Sequence, residues 1–171
     1  PVNSVTVTPS STSLTPTQTT TLTATTRDAD NNVLTGRVVT WTSSNEAVAT
    51  VSSTGVVTAG TITGTATITA TSETKTGTAT ITVTPGPTAS VVVSGPSTTV
   101  STGEFLQLTA KAYDAFRNEI TGKAFTWSSS DETVATVTPT DGNVSGVKPG
   151  GVTITATVDG ESGTYQVNVT P

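Results

Sequence analysis

The stretch TWTSSNEAVATVSSTGVV, from Thr40 to Val57, returns as TWSSSDETVATVTPTDGNV, from Thr126 to Val144. A shift of 86 residues carries Trp41 onto Trp127 and also aligns Val5 with Val91, Leu22 with Leu108, Asp28 with Asp114, Ile68 with Ile154 and Pro85 with Pro171. One residue is gained before Gly142 and one lost before Gly150, so the register recovers. A shift held along the chain means two copies of one domain, predicted at 1–85 and 86–171. Copies this small lie near the lower end of domains that fold without a staple. The chain has no Cys, so packing alone must hold each core, and an extracellular home remains open.

Composition narrows the chemistry. His is absent along with Cys, which removes the side chains most used as general bases and transition-metal ligands. A net charge of −5 argues against nucleic acid, which needs a basic face. The apolar runs are too short to span a membrane as a helix. A chain that opens at Pro1 and holds no Met is expected to be a processed product or a piece of something longer.

Period-two alternation runs through most of the sequence. Val5 and Val7 point one way and Thr6 and Thr8 the other; Leu22 and Ala24, Val39 and Trp41, Ala66, Ile68 and Ala70, then Ala79, Ile81 and Val83 follow the same rule. Threonine is β-branched, so it favours strands while its hydroxyl keeps the outer face wet. Turn signals fall at Asp28 to Asn32, Ser43 to Asn45, Ser52 to Gly55 and Thr71 to Gly77. No segment carries a helical period; Asn45 to Val48 is one turn at most. About seven short strands per copy, with an inward Trp on the third, predict an all-β chain of two tandem immunoglobulin-like sandwiches. The join, Thr84-Pro85-Gly86-Pro87, is short and proline-restricted, which predicts an end-to-end arrangement.

The opening SVTVTP, the LTAT strand, the DADNN turn followed by LTGRVVTWTSSNEAVATV, the GVVTA piece and the closing GTATITATSETKTGTATITVTP together resemble the bacterial immunoglobulin-like family, group 2. That family occurs in intimins, invasins and phage structural proteins. The second copy departs more, with DAFRN for DADNN. The resemblance implies a β-sandwich in an extracellular, cell-surface or virion setting, a role in adhesion, display or spacing, and no enzyme activity. It fixes no ligand.

Candidate sites are few. Asp28-Ala29-Asp30-Asn31-Asn32 has the opening of a calcium loop, but Val33 and Val39 stand where an EF-hand needs Gly and Glu. An Asx turn is the expected role, with no metal and no cofactor. Glu46, Asp131 and Glu132 read as turn caps rather than a carboxylate pair. No Ser or Thr has an evident activating base, so no catalytic residue is expected. Trp41 and Trp127 share parity with Val39 and Phe125 and are assigned to the core rather than to sugar stacking.

The sharper clue is asymmetry, since every Phe and Tyr lies in the second copy. Leu106, Leu108, Ala110 and Ala112 form an inward set, which leaves Phe105 and Tyr113 outward where the first copy has Thr19 and Arg27. Tyr113, Phe116 and Arg117 are therefore the candidate partner contacts, since exposed aromatics beside Arg are typical of interfaces. A seat at the joint between the copies is the alternative for Tyr113 and Phe116. The expected function is a non-catalytic extracellular spacer or adhesive module of a bacterial surface protein. Its partner is another protein, either itself or a neighbouring repeat. The alternatives are a self-assembling subunit of a filament or virion, and a carbohydrate-binding accessory domain that engages a cell-surface glycan.

Overall fold

A computed structural model describes all 171 residues, every one of them in strands, turns or loops. The chain divides into two compact units, Pro1–Gly86 and Pro87–Pro171. The first contains β1 (Ser4–Thr8), β2 (Ser11–Leu14), β3 (Thr19–Thr21), β4 (Thr23–Arg27), β5 (Val33–Leu34), β6 (Thr40–Ser43), β7 (Ala49–Val51), β8 (Val56–Ala59), β9 (Gly64–Ser72) and β10 (Lys75–Val83). The second repeats the series as β11 (Ser90–Ser94), β12 (Thr99–Ser101), β13 (Phe105–Gln107), β14 (Thr109–Tyr113), β15 (Glu119–Ile120), β16 (Thr126–Ser129), β17 (Ala135–Val137), β18 (Asn143–Gly146), β19 (Gly150–Val158) and β20 (Glu161–Thr170).

One layer of the first unit is a four-stranded sheet, β2-β10-β9-β6, in which β2 runs parallel to β10. The facing strands form two three-stranded sheets, β1-β4-β5 and β3-β8-β7. The second unit has the same order, β12-β20-β19-β16 opposite β11-β14-β15 and β13-β18-β17. Each unit thus has ten strand segments rather than about seven. The extra segments arise because strands change sheet: the Leu22 amide between β3 and β4 turns aside to donate to Gly55 O, and Leu108 does the same to Gly142 O.

The alternation decides which face is buried. Ala66, Ile68 and Ala70 of β9 and Ala79, Ile81 and Val83 of β10 are in the core, while the threonines between them face outward. In the second unit Val152, Ile154 and Ala156 of β19 and Val167 and Val169 of β20 take the equivalent positions, and Leu106, Leu108 and Ala112 also lie in the core. Ser72 breaks the rule. It is an inward position of β9, 2% exposed, and its hydroxyl has no hydrogen-bond partner. The second unit has buried Val158 there. An unpaired buried hydroxyl costs about 1–3 kcal/mol. Ser72→Val is therefore expected to raise the melting temperature of the first unit alone, measured by calorimetry of the whole chain.

A repeated clasp fixes the start of each unit. In the β19–β20 hairpin, Asp159 and Gly160 both have positive φ, as a two-residue hairpin loop of the Asp-Gly kind requires. Asp159 Oδ2 accepts from Lys123 Nζ and from Thr88 Oγ1, both at 2.6 Å. In the first unit Glu73 takes the position: it accepts the Val2 amide at 2.9 Å and lies 3.4 Å from Arg37 Nη1. Lys123, followed by Thr88, holds the Asp159 carboxyl below its ordinary value. A carboxyl lowered by folding stabilises above its unfolded pKa, and that contribution is lost as pH falls through the folded value. Acid titration of the second unit is expected to show this loss, and Asp159→Asn to remove part of it while the first unit keeps its profile. The group is exposed, so the effect is small.

Candidate functional site

The turns that follow β4 and β14 are built alike. Asp28 Oδ1 accepts the amides of Asp30 and Asn32 at 3.0 and 2.9 Å, and its Oδ2 accepts Asn32 Nδ2 at 3.1 Å. Asp114 accepts the amides of Phe116 and Asn118 at 2.9 Å and Asn118 Nδ2 at 2.8 Å. These are the Asx turns expected from the sequence. Bonds from Asn32 hold the Asp28 carboxyl below its ordinary value. The Asn45 and Asp131 turns are also as expected, their side chains accepting the amides of Ala47 and Thr133.

On this shared backbone the two units present different chemistry. The fourth turn residue has positive φ in both, 65° at Asn31 and 67° at Arg117. Asn tolerates this region well, whereas Arg seldom adopts it. In the first unit Arg27 is tied to its own turn, Nη1 donating to Asn31 O at 2.8 Å. In the second unit Tyr113 replaces Arg27. Arg117 takes no part in the ion pairs Arg37–Glu73, Lys111–Glu119 and Lys123–Asp159.

Sheet register assembles the rest. Ser90 pairs with Tyr113 and Val92 with Lys111 across β11 and β14, and Tyr113 pairs with Glu119 across β14 and β15. Ser90, Val92, Tyr113 and Arg117 line a cleft of about 330 Å³. Val92 is 52% exposed and Phe116, on the turn, is 45% exposed. Tyr113 is half-buried. Lys111 Nζ lies 3.0 Å from Glu119 Oε2, so those two charges answer each other. Phe105, although 70% exposed, is not brought to this place: it lies eight residues back along β13 and β14, about 26 Å at ordinary strand rise. Tyr165 is half-buried, with its hydroxyl at 3.4 and 3.3 Å from the carbonyls of Gly95 and Ser97. Sequence reasoning missed Ser90 and Val92. Comparing the copies would have exposed Val92, which stands where the first copy has Thr6.

The tryptophans also differ. Trp127 is 8% exposed. Its amide donates to Pro139 O at 2.9 Å, and its ring lies over Gly142, where a Cβ would come within 2.6 Å of Cζ2. Gln107 Nε2 donates to Leu108 O and Asp141 O and ties down the neighbouring loop. Trp41 is only half-buried. With Thr21, Leu22, Thr23, Ala24, Val39, Ser53 and Thr54 it lines a shallow cleft of about 380 Å³. The loop there is one residue shorter, and Val39 replaces Phe125.

The sequence matches the bacterial Ig-like domain (group 2) over residues 1–83 and again over 87–169. The chain belongs to this family. Among solved structures it is similar to the Escherichia coli adhesin FdeC, at 20% identity and a TM-score of 0.63, covering 98% of this chain and 63% of that one. It is also similar to the S-layer protein SbsC, at 25% identity and a TM-score of 0.50, covering 99% of this chain and 28% of that one. The chain thus spans less than two thirds of either structure. No curated protein sequence matches it. The FdeC likeness establishes the fold. Both copies are group 2 Ig-like domains, and their scaffolds differ chiefly in the side chains set on them.

Proposed function

We propose that the chain is a non-catalytic module of a bacterial surface protein, with the first copy a spacer and the second presenting a contact surface for another protein. The observation that carries this reading is the replacement of Arg27, Asp30 and Asn31 by Tyr113, Phe116 and Arg117 on the same turn. The exchange converts a self-satisfied polar corner into aromatic surface beside an unpaired cation. Aromatic residues and Arg are enriched at protein interfaces. The likeness to an S-layer protein supports an extracellular place. The test is retention of beads coated with the whole chain on cultured epithelial cells and on beads bearing the same chain. Tyr113→Arg with Phe116→Asp is expected to abolish retention and leave melting unchanged. Unchanged retention with lost stability would place these residues in the structure of the domain and overturn the reading.

A second reading has its own support in the first copy. The half-buried Trp41 sits among the hydroxyls of Thr21, Thr23, Ser53 and Thr54, an aromatic wall with polar rims suited to a neutral sugar. Glycosidase treatment of the cells separates the two, since loss of retention after it, together with loss in Trp41→Ala, would favour the glycan.

A further inference from the structure

We propose that the cleft between Ser90, Val92, Tyr113 and Arg117 binds a carboxylate side chain of a partner protein, seated beside an apolar residue of the same segment. The proposal rests on the contact surface above and names its ligand chemistry. Three observations converge on it.

The first is charge. The chain carries −5 overall, yet the cleft holds a cation without a counter-ion. Lys111 and Glu119, the other charges on this sheet face, are bonded to each other, and the buried Asp114 carboxyl accepts bonds from its own turn, so Arg117 is the charge left open to a ligand. A guanidinium offers paired N–H donors that match a carboxylate, and such bonds are about twice as strong as neutral ones. The second is the wall. Val92 leaves an aliphatic surface exposed where the first copy has Thr6, and Phe116, the residue before Arg117 on the turn, is exposed as well. An anion with no apolar companion would leave both uncovered. A phosphate backbone or lipid surface needs a cluster of cations, and the cleft has the single cation Arg117. The third is position. Arg117 sits at a φ that Asn fills without difficulty in the first copy, so stability alone does not ask for Arg there. The Tyr113 hydroxyl and Ser90 supply further donors for a carboxylate.

The surrounding negative charge repels acidic chains in general, so binding requires the apolar residue and the carboxylate together. The probe is the peptide acetyl-Phe-Asp-Leu-amide, titrated into the whole isotopically labelled chain and followed by amide NMR shifts. Saturable shifts are expected at Ser90, Val92, Tyr113, Phe116 and Arg117, weakening as salt is added. The Asn version of the peptide is expected to bind about ten- to a hundredfold more weakly, the range for losing a charge-assisted bond. Arg117→Asn should retain the folded spectrum and bind both peptides equally weakly. Equal affinity of wild type for the two peptides, shifts elsewhere, or none into the millimolar range would each overturn the proposal. If cell retention is still lost in Tyr113→Arg with Phe116→Asp, the contact surface stands and only the carboxylate assignment falls.

Discussion

Trp127→Ala is expected to unfold the second copy well below the melting point of the first. The indole is buried, its amide is bonded to Pro139 O, and its ring edge lies over Gly142. Truncating a buried Trp costs about 3–5 kcal/mol, a large part of the roughly 5–15 kcal/mol that holds a domain. Calorimetry of the whole chain should show one transition displaced downward and one in place. Trp41→Ala is expected to displace the first-copy transition by less, because its ring already borders an open cleft. Equal displacements would mean that Trp41 is as thoroughly packed as Trp127, and the sugar-platform reading would lose its basis.

The second large effect is expected from a single methyl. Gly163 of β20 lies against β11, and a Cβ on it would sit 2.4 Å from Val91 O and 2.9 Å from Val91 C. Gly77 stands in the same relation to Val5 in the first copy. Backbone meets backbone at this crossing, so a methyl cannot be absorbed by rotating a side chain. Overpacking of this kind costs about 1–3 kcal/mol. Gly163→Ala should lower the denaturation midpoint of the second copy at constant slope. Gly151→Ala is the control: its Cβ would meet nothing within 4 Å, so the midpoint should stay or rise slightly. Matching losses from both would trace the effect to glycine flexibility rather than to the crossing.

Much of this architecture is legible in the sequence because alternation and repetition are local properties. The inward sets of β9, β10 and the β13–β14 run, the Asx turns and the equivalence of the copies all follow from residue spacing. The changes of sheet at Leu22 and Leu108 do not, because each depends on a carbonyl 33 or 34 residues away, at Gly55 and Gly142. The unequal burial of Trp41 and Trp127 escapes parity for a related reason: both point inward, and what differs around them is a distant loop one residue longer in the second copy and Phe125 in place of Val39. Val92 sits in the run Val91-Val92-Val93, where no alternation tells an inward residue from an outward one. Ser72 reads as a turn residue by type, yet the hairpin begins after it and leaves it facing the core. The candidate contact residues were visible only because the first copy serves as a blank for the second.

That internal blank also supplies the most direct test. The turns share their backbone bonds and their positive φ, so the surface should be transferable. In one variant of the whole chain, Tyr113, Phe116 and Arg117 become Arg, Asp and Asn. In a second, Arg27→Tyr, Asp30→Phe, Asn31→Arg and Thr6→Val are added to the first copy. Bead retention on cells is expected to vanish in the first variant and return in the second, with both copies folded in each and the first copy of the second variant melting slightly lower, because Arg replaces Asn at a positive φ. Retention that survives the first exchange in a folded chain would contradict the assignment of the contact surface to the second copy.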